Sequence, residues 1–178
     1  ADGSFNYSPN AAFESLAAGE NDADSFTYTL SDGNGGTDTA TVNFAIDGVN
    51  DAPDAVNDLL STDEDTPLSG NVFANNGVAA DSDAEGDIFV VSAVNGNAVN
   101  VGVQITLASG ALLTVNGDGT FTYDPNAQFE SLGVGQSDTD SFTYTIDDGN
   151  GGTDTATVTL AINGVNDAPD AVDDAFAT

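Results

Sequence analysis

Asp81-Ser82-Asp83-Ala84-Glu85-Gly86-Asp87 sets carboxylates at alternate positions and adds a glycine for a bend. That spacing suits calcium, a hard cation that takes about six to eight oxygen ligands at flexible geometry, with backbone carbonyls and waters completing the shell. The loop half-resembles an EF-hand. Its twelfth position, however, is Ser92, which cannot supply a bidentate carboxylate, and strand-like sequence follows, so an EF-hand is rejected. More acids gather at Asn50-Asp51-Ala52-Pro53 and Asn166-Asp167-Ala168-Pro169, and at Asp22-Ala23-Asp24 and Asp138-Thr139-Asp140. Others sit in Asp32-Gly33-Asn34-Gly35-Gly36 and Asp148-Gly149-Asn150-Gly151-Gly152. A second chemistry competes with ion binding: Asp and Asn hydrogen-bond their own backbone and glycine supplies positive φ, so such loops form without a metal. At 32–36 and 148–152 both readings stay open, because a hairpin needs those residues anyway. At 50–53 and 81–83 calcium is the better account, since crowded carboxylates with no basic neighbour raise one another's pKa and destabilise the fold.

No side chain neutralises these acids. The 178 residues hold 30 Asp and Glu and no Lys, Arg or His, a formal net charge of -30. Such a balance alone points to disorder, but 39% hydrophobic residues, with 10 Phe and 4 Tyr, suffice for a core. The expectation is a folded protein that takes its positive charge from solution. Acidic solvation in a salty habitat would account for the charge, but not for its clustering at repeat boundaries. Without Lys or Arg, nucleic acid is excluded as a partner, and so is an anionic membrane surface. No apolar run nears the roughly 20 residues that span a bilayer, so no membrane insertion is expected. Cysteine is absent, which leaves metal ions as the staple for a secreted domain. The chain lacks an initial Met and a signal-like start, and residue 1 is not expected to be a natural N-terminus. Catalysis is not expected. Without His, Cys or Lys most nucleophile and base schemes fall away, and a two-carboxylate glycosidase would need a singular acid pair in a cleft.

Here the acids recur, because the sequence repeats. Asp2-Gly3-Ser4-Phe5 returns 116 residues on as Asp118-Gly119-Thr120-Phe121, Phe13-Glu14-Ser15-Leu16 as Phe129-Glu130-Ser131-Leu132, and Gly48-Val49-Asn50-Asp51-Ala52-Pro53 as residues 164–169. Residues 1–53 are thus expected to be the C-terminal half of one repeat, 54–169 a complete repeat, and 170–178 the start of the next. A unit of this length is domain-sized and far longer than a solenoid repeat. Asp-Gly-Asn-Gly-Gly occurs once per unit, which excludes a nonapeptide calcium roll.

The elements that must position these loops alternate with period two. Phe26, Tyr28 and Leu30 share one face of a strand, as do Ala40, Val42, Phe44 and Ile46; the second copies are Phe142/Tyr144/Ile146 and Ala156/Val158/Leu160/Ile162. Thr and aromatic enrichment with one wet face suits antiparallel strands. Further strands are expected near 54–60, 67–73, 87–94, 103–108, 111–116 and 120–123, with a helical turn at 127–132. Roughly eight strands per repeat is the count of a Greek-key β-sandwich. The fold class is all-β.

Asp118-Gly119-Thr120-Phe121-Thr122-Tyr123, Ser141-Phe142-Thr143-Tyr144-Thr145, Asp148-Gly149-Asn150-Gly151-Gly152 and Val165-Asn166-Asp167-Ala168-Pro169 resemble the VCBS repeat, a bacterial cadherin-like module found in tandem in large secreted adhesins. The resemblance covers nearly the whole chain. It implies tandem cadherin-like (Ig-like) sandwiches, an extracellular or cell-surface location and export by type I secretion. A more distant similarity to cadherins implies calcium ligands between successive domains: Asn50, Asp51, Asn166 and Asp167 in linkers, Asp81 and Asp83 in a DxD loop, Asp22, Asp24, Asp138 and Asp140 near the opposite end, Glu64 early in the domain and Asp148 late in it. Asp87 joins them from the alternating loop. Gly48 and Gly164 stand where the cadherin linker starts with Asp, and Ala52 and Ala168 replace its last Asn, so one or two ions per junction are expected.

The functional expectation is a calcium-rigidified stalk or filament of a secreted adhesin or matrix protein, its partners being calcium ions and neighbouring repeats. The alternative is a glycan- or partner-binding sandwich contacting a surface glycan or matrix. Its loosely placed aromatics would be Phe73, Phe89, Phe129 and Phe176. Because the chain holds the back of one repeat and the front edge of another, head-to-tail subunits of a filament are a further candidate partner. Glu14 and Glu130, in short turns, read as solvated.

Overall fold

The computed structural model describes residues 2–169 and 171–173. Their regular elements are all strands, apart from one three-residue 3-10 turn, Ala98–Asn100. Contacts divide the chain into two compact units, Ala1–Pro53 with Ser82–Phe89 and Asp147–Thr153, and Asp54–Asp81 with Val90–Ile146 and Asp154–Thr178.

The first unit is built on an antiparallel hairpin, β1 (Asn21–Ser31) and β2 (Thr37–Asp47), in the register Thr29↔Thr39. The turn between them is closed by Asp32, whose Oδ1 accepts the N–H groups of Asn34 (2.7 Å) and Gly36 (3.0 Å). The hairpin's apolar face carries an aromatic cluster. Phe5 meets Phe26 edge-on at 5.2 Å, and Tyr7 stacks on Phe44 at 4.1 Å.

The second unit is a two-sheet sandwich. Its strands are β3 (Asp58–Asp63), β4 (Leu68–Asn71), β5 (Val90–Val94), β6 (Ile105–Thr106), β7 (Leu112–Val115), β8 (Thr120–Asp124), β9 (Ser137–Asp147) and β10 (Thr153–Asn163). They order as β3-β10-β9-β5 and β4-β8-β7-β6, with β3 parallel to β10 and β4, β6 and β7 in antiparallel ladders. Period-two alternation sends Phe142, Tyr144 and Ile146 of β9 and Ala156, Val158, Leu160 and Ile162 of β10 inward, where they are buried against Leu113, Val115, Phe121 and Tyr123.

Several strands are shorter or displaced relative to the sequence pattern, for identifiable reasons. Residues 54–57 do not extend β3, because side chains take their place in the ladder. Ala55 N–H donates to Asp154, Val56 N–H to Asp81, and Thr157 N–H to the Asn57 side chain. Residues 87–89 stay outside β5 since Asp83 holds the Asp87 N–H in the loop. Residues 103–104 belong to the turn after Ala98–Asn100, with Val103 N–H bonded to Asn100 O. At 127–132 the backbone makes separate turns, Gln128 N–H to Pro125 O and Leu132 N–H to Phe129 O, and no helix. Phe129 is buried in the core, which removes it as a recognition residue; Phe73 and Phe89 are half-buried, and Phe176 lies outside the described residues.

The core also holds acid. Asp58 is 1% exposed, its Oδ2 has no hydrogen-bond partner, and burial, aided by the charge of Asp81 and opposed by the Asn76 side chain, pushes its pKa up to about 6. The nearby Asp81 carboxylate accepts Val56 N–H and lies 2.9 Å from the Tyr144 hydroxyl. A folded pKa above the unfolded one stabilises the fold fully below about pH 4, and that contribution is lost as pH rises through about 6. Asp58→Asn, which removes the ionisation, is therefore expected to raise stability at pH 7.5 by up to about 3 kcal/mol and to leave pH 4 nearly unchanged. Urea unfolding of both proteins at the two pH values measures it; a larger gain at pH 4 than at pH 7.5 would refute the sign.

Candidate metal centre

Three segments of the first unit converge on one acidic site: the linker 48–53, the loop 82–89 and the turn 147–153. The loop is shaped by Asp83, whose Oδ1 accepts the N–H groups of Glu85 and Asp87, both at 3.0 Å. The turn repeats that geometry. Asp148 Oδ1 accepts Asn150 N–H at 2.7 Å and Gly152 N–H at 3.0 Å. One carboxylate oxygen in each loop is thus spent on turn chemistry, as at Asp32. The other oxygens remain to do something else.

Asp148 Oδ2 accepts the Asn50 side-chain amide at 2.8 Å, which fastens the linker to the turn. That bond and the turn N–H groups hold the Asp148 pKa below the usual carboxylate range. Asp51 N–H donates to Glu85 Oε1 at 3.2 Å, and the Asn150 amide to Asp87 Oδ2 at 2.6 Å. Asp83, Glu85 and Asp87, all half-buried, bring one carboxylate oxygen each within 4.8 Å of one another. Asp83 Oδ2 and Glu85 Oε2 are buried with no hydrogen-bond partner. Burial, with the charges of Asp51 and Asp83, pushes the Glu85 carboxyl up. Half-buried carboxylates within reach of one another, two of them with a buried oxygen that has no hydrogen-bond partner, fit a divalent cation with oxygen preference.

A second acidic group belongs to the second unit. Exposed Asp65, Glu130 and Asp167 place carboxylate oxygens within 4.8 Å of one another. Glu64 is 1% exposed, its Oε1 accepting Val165 N–H at 2.8 Å while Oε2 is buried without a partner. Burial, and then the charges of Asp167, Asp65 and Glu64, raise the Glu130 pKa.

Of the sequence candidates, Asn50, Asp51, Asp83, Asp87 and Asp148 come together at the first site, and Glu64 and Asp167 at the second, with Asn166 bonded to Asp167 O at 3.0 Å. Asp81 points the other way, into the core of the second unit against Tyr144. Asp22, Asp24, Asp138 and Asp140 lie on β1 and β9 and join neither group. Asp24 accepts the Tyr7 hydroxyl at 2.9 Å, and Asp140 accepts those of Tyr123 (2.9 Å) and Ser109 (2.6 Å). Two acids, Asp65 and Glu130, escaped the sequence reading as ligands, while Glu85 belongs to the alternating loop but is not among the ligands named there. Glu130 carried a signal, since its copy Glu14 occupies the same place in the repeat.

Gly152 is the tightest point of the first site. A Cβ there would clash with the Asp148 carboxylate and stand 2.7 Å from Ala52 Cα, whereas one at Gly36 meets only the Asp32 side chain. Gly152→Ala is expected to speed hydrogen exchange at Asp51 N–H at least tenfold, and Gly36→Ala to leave it unchanged. Equal exchange in both variants would show that the linker is not seated on the turn.

A family model described as a bacterial cadherin-like domain matches residues 50–164, and one described as a bacterial Ig domain matches residues 1–45. A relative from Rhizobium johnstonii, the calcium-binding lectin RapA2, is 34% identical over 176 residues, covering 93% of this chain and 70% of its own. Among solved structures, human mucin-like protocadherin EC1-2 is 18% identical with a TM-score of 0.37, over 72% of this chain and 61% of that one. A nucleoside hydrolase-related protein from Saccharophagus degradans is 15% identical with a TM-score of 0.38, over 66% of this chain and only 26% of its own length.

Proposed function

The chain belongs to the bacterial cadherin-like domain family, and on that premise we propose that it is a calcium-stiffened adhesive module of an extracellular protein. The observation that supports this most directly is the pair of buried, unpartnered oxygens, Asp83 Oδ2 and Glu85 Oε2, in a chain with no basic side chain. An ion shared by Asp83, Glu85 and Asp87, beside Asn50, Asp51 and Asp148, would clamp the linker 50–53 onto the loop 82–89 and the turn 147–153. Residues 1–53, 54–169 and 170–178 would then be successive parts of a tandem array whose linkers stiffen with calcium. Glu64, Asp65, Glu130, Asn166 and Asp167 would form half of the next such site. The role is non-enzymatic: the acids recur at equivalent turns, as structural ligands do, and no nucleophile–base pair can be assembled without His, Cys or Lys.

An ion that binds only the native state stabilises it by about 2.7 kcal/mol at a hundredfold excess over Kd. Thermal unfolding in calcium, in magnesium and in chelator is expected to show a rise in Tm selective for calcium. Asp83→Asn combined with Glu85→Gln should remove most of that rise without lowering Tm in chelator, where the repulsion they relieve is greatest. Equal melting in all three solutions, or a calcium shift intact in the double variant, would defeat the proposal.

A second reading is favoured by the relative named as a calcium-binding lectin: recognition of a carbohydrate in a calcium-dependent way. Retention on immobilised acidic and neutral polysaccharides, lost in chelator and in the Asp83→Asn/Glu85→Gln variant, is the expected outcome. Retention indifferent to calcium would separate any glycan site from this loop cluster.

A further inference from the structure

Acid is spread along this chain with one gap. Between Asp87 and Asp118 there is no Asp or Glu, and no other stretch of comparable length lacks them. The part of that gap in the second unit, residues 90–117, forms β5, the 3-10 turn, β6 and β7. β5 and β6 are the last strands of their sheets. Val91 N–H of β5 bonds Gly117 O, just past β7, and Gly102 N–H, on the way to β6, bonds Val115 O of β7. The two strands and the turn between them are therefore one uncharged edge. At the opposite edge Asp63 ends β3 and Asp65 leads towards β4.

The chemistry of this edge narrows what can cover it. Val94 and Asn97 exchange N–H···O bonds at 3.2 and 3.1 Å, which closes the backbone to an added strand where the turn begins. The amides are engaged in the fold as well. Asn95 Oδ1 accepts Thr143 N–H, Asn97 Oδ1 accepts Val99 N–H, and the Asn100 amide donates to Val94 O. Beyond them the edge offers apolar side chains: Val90, Val99 and Val103 are 48%, 73% and 52% exposed. A glycan needs free amides and hydroxyls, and a cationic partner is drawn to the acids on other faces. A second copy of this chain carries the same net charge of -30 and is repelled by those faces, so a surface without charge is where it can approach. We infer that two copies of this chain pack side by side on the β5–β6 edge, valines against valines. The same patch then serves both partners, so the contact is isologous and stops at a dimer. It needs no ion, and its failure would leave the calcium reading untouched.

Sedimentation of the full chain in chelator is the test. The weight-average mass is expected to double, and to rise no further, across a hundredfold concentration range. Raising the ionic strength from about 0.15 M to about 1 M shortens the Debye length from about 8 Å to about 3 Å, so the acids of the two copies repel less. Dimers should then form at a concentration at least tenfold lower. Val99→Asp and Val103→Asp, both at exposed positions, each put a charge on the edge and should stay monomeric. Val134→Asp, at a position 74% exposed and outside residues 90–117, should dimerise like the wild type. A wild-type chain that stays monomeric in both salts overturns the inference. So do dimers that salt dissociates, dimers that persist in both edge variants, or an equal loss in Val134→Asp. Retention of a monomeric wild type on a neutral polysaccharide, lost in Val99→Asp, would also overturn it and assign the edge to a glycan.

Discussion

Every carboxylate in this chain must find its partner among N–H groups, hydroxyls, protons or ions from solution, because none of its side chains is basic. The fold is arranged around that constraint. Turn aspartates take the first option: Asp32, Asp83 and Asp148 each bind two backbone N–H groups through one oxygen, which closes the loop and satisfies half the carboxylate. Strand aspartates take the second, with Asp24 and Asp140 each receiving a tyrosine hydroxyl from the same place in the repeat. Asp58, sealed in the core beside Asp81, is pushed toward the third, and its raised pKa is the cost of burial without a counter-charge. The oxygens of Asp83, Glu85 and Glu64 that remain buried and unpartnered call for the fourth.

This division separates two roles that share residue types. In the loop 82–89 the same Asp83 closes the turn with Oδ1 and keeps Oδ2 buried without a hydrogen-bond partner. The turn thus fixes the orientation of a second oxygen that has no hydrogen-bond partner of its own. Asp32 shows what the turn does alone, since it has the same N–H partners and its glycine, Gly36, has no linker backbone near it.

The repeat makes the two copies mutual controls. Residues that are core in the second unit, such as Phe121 at 3% exposure, are surface in the first, where Phe5 is 60% exposed. Phe121 lies on β8, which pairs with β4 and β7, whereas the residues around Phe5 form no strand. An apolar face retains most of its burial free energy only when opposed, at roughly 25 cal/mol for each Å² removed from water.

Period-two alternation and the Gly-rich turns were enough to place β1, β2, β9 and β10 and to assign their inward faces, because a strand's side-chain direction follows from parity alone. The offset of 116 residues exposed the domain rhythm, and the absence of cations made hard-metal chemistry the natural expectation. What the sequence could not decide was which acids meet. Asp81 and Asp83 share parity, yet one is buried against Tyr144 while the other joins Glu85 and Asp87. Glu130 reads as a solvated turn residue and is brought to Asp65 and Asp167 from more than thirty positions away along the chain. Local pattern determines the direction of a side chain relative to its own backbone; only the packing of distant segments determines whose oxygen stands opposite it.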